Sequence, residues 1–273
     1  MSPSSTSRFE GKVALVTGSS RGVGKAIGLA LASEGATIVL NSSRTPFDGA
    51  NVASEINRIG GRAIYVKADV SSEKDVEQMA QLIEERFGHL DVVVHNAADG
   101  VEAQTADVSW EDFERTFRTN SYALVSLARF MAPLAVNGGK ILYISSFGAD
   151  RGVPGYGVVG ASKAASEALV RSLSMELAPT IQVNALRPAV VPTVSLQAFS
   201  FADKFLGMMR DESPLGLGDI GNIVDSALFL CSSQADFVTG QVLVVDGGMA
   251  AAIFRRNWHI NGKSPEKSPV DHG

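Results

Sequence analysis

Tyr156 and Lys163 stand in the run PGYGVVGASKAA (154–165) with six residues between them. A phenol donates a hydrogen bond to an oxygen that turns negative during a reaction, and a cation beside it favours the same charge. A second chemical feature is the glycine-rich TGSSRGVG at 17–24, set between the apolar run VALVT and the helical pattern KAIGLALASEG. Gly18 suits a tight turn. Gly22 and Gly24 let the backbone approach a pyrophosphate and let the next helix pack close, its first amides facing the anion.

The end of the second apolar run decides which dinucleotide suits such a turn. An Asp or Glu there would accept from a ribose 2'-hydroxyl and repel a 2'-phosphate, but the chain reads LNSSRT (40–45), with no carboxylate. NADPH is therefore expected, with Arg21 and Arg44 placed to reach the extra phosphate through charge-assisted bonds.

Positioning these groups falls to a regular alternation. Short apolar, β-branched runs at 13–17, 36–41, 63–69, 90–96, 140–146, 181–186 and 241–247 read as strands. Helical patterns occupy 22–34, 49–60, 73–87, 109–136, 157–178 and 219–231. Continuous apolar character rather than strict alternation argues a parallel sheet buried on both faces. The predicted fold is α/β, one doubly wound Rossmann-type domain with a seven-stranded parallel sheet and helices on both faces. The domain is expected over residues 10–253, after a flexible N-terminus at 1–9 and before a polar tail at 254–273 in which Trp258 is the one candidate to dock. Residues 189–218 are too long for an ordinary connection and rich in Phe, Leu and Met, including Phe199, Phe201, Phe205, Leu206, Met208 and Met209. They read as a lid over an apolar acyl chain, the alternative being a subunit contact.

Bulk properties exclude other classes. The 273 residues are 45% apolar and 19% charged, enough for one large domain. A net charge of −5, with both signs dispersed, offers no basic face to nucleic acid or an anionic membrane. The single Cys231 lies in the apolar SALFLCSS and reads as a buried helical thiol. With no apolar leader or spanning run, a cytoplasmic protein is expected, and no metal-binding set is read.

Taken in order, TGSSRGVG, Asp69-Val70, HNAA (95–98), Asn120, ISS (144–146), Lys163, RPAVVPT (187–193) and VDGG (245–248) resemble the short-chain dehydrogenase/reductase family over residues 8–250. The resemblance implies a subunit of a homotetramer or homodimer. It also implies that Asp69 and Val70 border the adenine, Asn96 and Ala97 lie along the cofactor, Thr193 meets the nicotinamide side and Lys163 holds the nicotinamide ribose. Ser20, Val23, Ser43, Ala98, Pro188 and Val191 complete the implied cofactor set, with the glycines and arginines already named.

The family's catalytic tyrosine falls thirteen residues after the serine matching Ser146, at a position that here is Val159. The wider Tyr156–Lys163 spacing is instead similar to the enoyl-thioester reductases of the superfamily. YGVVGASK, VTGSSRGVGKA and NAADGV are most similar to the short-chain-type enoyl-acyl-carrier-protein reductase III, which implies NADPH and an acyl thioester carried by acyl carrier protein or coenzyme A, in fatty acid or specialised acyl metabolism. Chemistry gives the shift a reason. In an enoyl thioester the hydride goes to Cβ while charge collects on a carbonyl oxygen roughly 3 Å away, and three residues along a helix move a side chain by about 4.5 Å.

Tyr156, Lys163 and Ser146 are the catalytic candidates, Ser146 having strand termination as its plainer reading. Asn120 reads as a backbone-bonding helix residue and His95 as a hydrogen-bonded packing residue. Asp99 and Asp150 read as solvated turn residues, and Tyr122 and Tyr143 lack the lysine spacing. Two alternatives stay open: an atypical carbonyl or ketoacyl reductase of the same fold, and a catalytically silent cofactor-binding subunit.

Overall fold

The structure, a computed structural model, describes residues 7–193 and 196–251. Strands β1 (Val13–Thr17), β2 (Thr37–Ser42), β3 (Arg62–Lys67), β4 (Val92–His95), β5 (Gly139–Ile144), β6 (Ile181–Pro188) and β7 (Val242–Val245) pair in parallel in the order β3-β2-β1-β4-β5-β6-β7. Each begins and ends within two residues of its expected run.

The sheet is buried on both faces because successive side chains of each strand enter different cores. Ala14 and Val16 of β1 pack on one side, with Ile27 and Leu31 of helix α1 (Gly22–Ser33) and Ile223 and Leu228 of α8 (Ile220–Cys231). Val13 and Leu15 pack on the other, with Met79 and Ile83 of α3 (Glu73–Phe87), Leu124 and Leu127 of α5 (Ala123–Met131) and Val170 of α6 (Gly157–Glu176). Helices α2 (Pro46–Arg58), α4 (Trp110–Phe117) and α7 (Ala202–Glu212) complete the set. Caps match the sequence: Asp75 N donates to Ser72 Oγ at the start of α3, Gly88 takes a left-handed φ of 72° at its end, and Asp219 and Asn222 form a capping box on α8.

Two expectations change. Phe9 is 1% exposed within the first core and its amide donates to Glu34 O, so the packed unit begins before residue 10. Burying that ring contributes about 1.5–3 kcal/mol toward ordering the terminus. The run at 109–136 is not one helix but α4, a π turn over Arg118–Tyr122, and α5. Asn120 lies in that turn, its side chain bonded to the Asp99 backbone outside the helix, and single π turns inside α-helices are frequent at functional sites. Finally, the tail from 254 with Trp258, and residues 252 and 253 of the expected domain, lie outside the described residues. Among the described residues, no helix is long and apolar enough to cross a membrane.

Candidate functional site

All candidate residues converge on the carboxyl ends of the strands, on both sides of the turn after β1. Gly18 has φ +62°, and a Cβ there would meet Ala97 Cα at 2.7 Å; a Cβ on Gly24 would meet Asn96 Nδ2 at 2.4 Å. These two glycines admit the β4 loop into the turn. Asn96 Nδ2 donates to Thr17 O (3.1 Å) and Gly18 O (3.0 Å), and Thr17 Oγ1 accepts from Asn96 N and Ala97 N. Gly22 differs: its φ is +57° and the space beside it is open, as a surface meeting a ligand requires.

The first turn of α1 is built for an anion. Arg21, its N-cap, supplies no side-chain cap, and no acidic residue stands in that turn, so the leading amides keep their hydrogen-bonding capacity. Ser20 is buried and its Oγ takes a 2.6 Å bond from Thr45 Oγ1, tying the turn to the end of β2. The glycine cradle and the absence of a carboxylate among Asn41, Ser42, Ser43 and Arg44 fit a dinucleotide.

Other members of the expected cofactor set have work within the protein. Asp69 Oδ1 accepts from Ser71 N and Ser71 Oγ and so shapes the turn before α3, while Val70 is buried. Val191 belongs to the first core, Pro188 closes β6, and Thr193 Oγ1 accepts from Leu196 N. Val23, Ser43, Asn96 and Ala97 are partly exposed and Ala98 is exposed on the cleft loops.

Tyr156 lies one residue outside α6, at its N-cap, with φ −117° and ψ 9°. The turn at Gly155 (φ +80°) therefore aims the phenol, rather than the helical displacement expected from spacing. Its hydroxyl donates to Ser146 Oγ at 3.4 Å, a long bond, and its ring lies against Gly148, where a Cβ would come within 2.8 Å of Cδ1 and Cε1. Burial raises the Tyr156 pKa, opposed by the Ser146 bond, so the phenol stays protonated. Val159, at the family's tyrosine position, is buried and packs on Gly100, where a Cβ would meet Val159 Cγ2 at 2.2 Å.

Lys163 is buried. Its Nζ donates to Ile144 O (2.8 Å) and lies 4.9 Å from the Tyr143 ring centroid. Burial lowers its pKa to about 8, while the charge of Glu167 works the other way. Glu167 and its partners are what sequence reasoning missed. Buried one helical turn beyond Lys163, its carboxylate accepts from Ser145 Oγ at 2.6 Å and from Arg187 Nε at 2.9 Å, and Arg187 also pairs with Asp150. A Lys-x-x-x-Glu spacing on a helix was the available signal. Asp150, expected as a solvated turn residue, is thus an ion-pair partner of a mostly buried arginine.

The remaining polar candidates sort cleanly. His95 is fully buried with Nδ1 3.2 Å from Thr17 Oγ1, and burial, then the Lys163 charge, pushes its pKa down to about 3; it is a neutral packing residue. Asn120 bonds Asp99 N and Asp99 O through its side chain. Tyr122 is exposed and donates to Glu73, while Tyr143 is buried in β5 with its pKa raised by burial. Cys231 is buried and its pKa is pushed up to about 12.

Residues 196–218 bring a chain of aromatic rings over Tyr156. Phe199 meets the phenol edge-on at 5.4 Å and Phe201 at 6.3 Å; Phe201 meets Phe205, which meets Phe147, at 5.2 Å each. Glu102 accepts from Ser200 N at 2.7 Å and from Ser200 Oγ, which holds the Glu102 carboxyl below its ordinary pKa. Met209 is buried. Asp99, expected as a solvated turn residue, instead carries ion pairs to Arg44 and Arg115.

Known proteins resemble this chain in sequence and fold. The family model described as enoyl-(acyl carrier protein) reductase matches residues 18–250. Versicolorin reductase 1 of Dothistroma septosporum is 37% identical over 257 residues, 88% of this chain and 97% of that protein. The 1-cyclohexenylcarbonyl-CoA reductase of Streptomyces collinus is 33% identical over 243 residues, 88% and 87% of the two chains. A solved 7α-hydroxysteroid dehydrogenase, complexed with NADH and 7-oxo glycochenodeoxycholic acid, superposes with a TM-score of 0.83 at 33% identity, covering 91% of this chain and 98% of that one. With the parallel sheet, the glycine turn and the buried lysine in place, the chain belongs to the short-chain dehydrogenase/reductase family, matching within it the family model described as enoyl-(acyl carrier protein) reductase.

Proposed function

We propose that this oxidoreductase is an NADPH-dependent enoyl-thioester reductase. The observation that carries the reading is the origin of the phenol: Tyr156 supplies it from the N-cap of α6, while position 159 holds a valine packed beneath Gly100. The nicotinamide, when bound, supplies the hydride that adds to Cβ of a 2-enoyl thioester. Electrons of the C=C bond then move to the thioester oxygen, where the protonated Tyr156 donates a hydrogen bond, and Cα takes a proton from water or through a ribose-linked relay. An oxyanion donor of this kind is worth about 3–4 kcal/mol. Lys163 positions the ribose and favours the developing charge. Residues 189–218 act as the lid, their rings excluding water and offering an apolar face to the acyl chain. Arg44 and the missing carboxylate support NADPH, and the substrate carrier is acyl carrier protein or coenzyme A.

The 3.4 Å Tyr156–Ser146 contact favours a second reading, carbonyl reduction, since a serine and a tyrosine converging on one oxygen would serve a ketone. Oxidation of NADPH with crotonyl and longer 2-enoyl thioesters, run beside matched 3-ketoacyl thioesters, separates the two. Turnover of the enoyl series alone sustains the proposal; turnover of the ketoacyl series alone replaces it, and binding without any turnover marks a silent subunit.

Two further results are expected. Lys163 is a cation below about pH 8 and neutral above it, so kcat/KM falls as pH rises through about 8. Because Glu167 supports the cation, Glu167→Gln moves that falling limb to lower pH, which a pH profile of both enzymes reads out. Gly148→Ala places a methyl within 2.8 Å of the Tyr156 ring and displaces the phenol. Turnover should drop about tenfold or more while the melting temperature changes little, since a misplacement of 1 Å costs up to about 100-fold.

A further inference from the structure

Arg44 and Asp99 lie 55 residues apart in the chain and close a bridge across the end of one strand. Arg44 follows β2 and Asp99 follows β4, the two neighbours of β1 in the sheet. A span of about 10 Å, two strand spacings, separates their strands, and the turn that opens α1 lies between. Arg44 Nη2 meets Asp99 Oδ2 at 2.7 Å and Nη1 meets Oδ1 at 3.5 Å. Arg115 Nε meets the same Oδ2 at 3.0 Å, and Gly100 N donates to Oδ1 at 2.9 Å.

The partners differ in freedom. Asp99 is fixed: its side chain is 10% exposed, and Asn120 bonds its backbone at both N and O. Arg115 is held from two sides, by Asp99 and by Asp112 Oδ1 at 2.7 Å on its own helix. Arg44, whose side chain is 72% exposed, has no second anchor of that kind among the described residues and is the member that can leave. When it does, Asp99 keeps Arg115 and Gly100 N, so no carboxylate is left buried without a partner.

We propose that Asp99 is a specificity-determining residue that competes with the 2'-phosphate of NADPH for Arg44, and so sets how strongly NADPH is preferred over NADH. The inference rests on the NADPH reading above. A 2'-phosphate draws Arg44 off Asp99, and the lost pair is subtracted from the phosphate's gain. NADH carries no such group and leaves the pair intact. Asp99 therefore narrows the preference, while Arg115 limits the narrowing by neutralising Asp99 once Arg44 has moved.

The test is fluorescence titration of the purified protein with NADPH and with NADH at one fixed ionic strength, for the parent, D99N, R115Q and R44A. In D99N the NADPH-to-NADH affinity ratio should rise about three- to fivefold, the scale of one partly exposed ion pair. In R115Q it should fall, because Asp99 then has Arg44 as its one cationic partner among the described residues; Arg115, whose side chain is 41% exposed, guards against a folding defect in D99N. A ratio unchanged or lowered in D99N, with R44A collapsing it, overturns the competition while leaving NADPH selection by Arg44 intact. If R44A itself leaves the ratio unchanged, the NADPH reading fails and the inference with it.

Discussion

Tyr156→Phe lowers kcat for a 2-enoyl thioester about 100- to 1,000-fold, the range that follows removal of one preorganised oxyanion donor, and changes the affinity for NADPH by less than about twofold. The prediction separates two roles that a tyrosine at this position could have. As an aromatic surface, Tyr156 meets Phe199 and Phe201 edge-on and rests on Gly148, and phenylalanine preserves each of those contacts. As a hydroxyl, it makes one long bond to Ser146, and losing a 3.4 Å bond to a neutral partner costs little in stability. A large loss of turnover with an unchanged melting temperature therefore reports the hydroxyl's part in the reaction alone. Equal losses in kcat and kcat/KM would place that interaction in the transition state; a rise in KM alone would make the phenol a substrate-binding group. Full activity in the variant overturns the assignment, and Ser146, the other hydroxyl at that spot, becomes the donor to test.

The same comparison shows what the chain discloses in one dimension and what it withholds. Strand runs such as VALVT were legible because a strand buried on both faces is apolar along nearly its whole length, and all five residues of β1 are buried. The glycine turn was legible because Gly18 and Gly24 answer steric demands that no other residue meets. Asp99 was misread because nothing local marks it: its partners Arg44 and Arg115 come from other elements, and in sequence alone an Asp before Gly reads as a turn. Gly148 escaped notice for the same reason, since the ring it admits arrives from a separate loop. The direction of Tyr156 was not legible, because a helix N-cap residue is aimed by the turn before it and helical geometry no longer applies. Phe9 was lost to the polar residues around it, although one buried ring is enough to anchor a terminus.

Lys163→Met lowers kcat/KM about 100-fold or more and, unlike Tyr156→Phe, also weakens NADPH binding, by about tenfold, the cost of losing hydrogen bonds from a charged donor. Methionine keeps the length and much of the volume of the lysine stem, so the helix α6 packing survives. What it removes is the ammonium that donates to Ile144 O and lies over Tyr143. That ammonium is expensive to keep: burial drives its pKa down to about 8, and the protein offsets part of the cost with Glu167, itself held by Ser145 and Arg187. Removing this charge costs the fold little, because Glu167 keeps Ser145 and Arg187 and burial already penalises the ammonium. The two measurements should accordingly diverge, with the melting temperature of Lys163→Met equal to or above that of the parent while both turnover and cofactor affinity fall. Such divergence identifies a charge retained against its own folding cost for what it does at the ribose and the developing enolate. A parallel fall in melting temperature, with activity recovering in proportion to the folded fraction, would assign Lys163 to the scaffold instead.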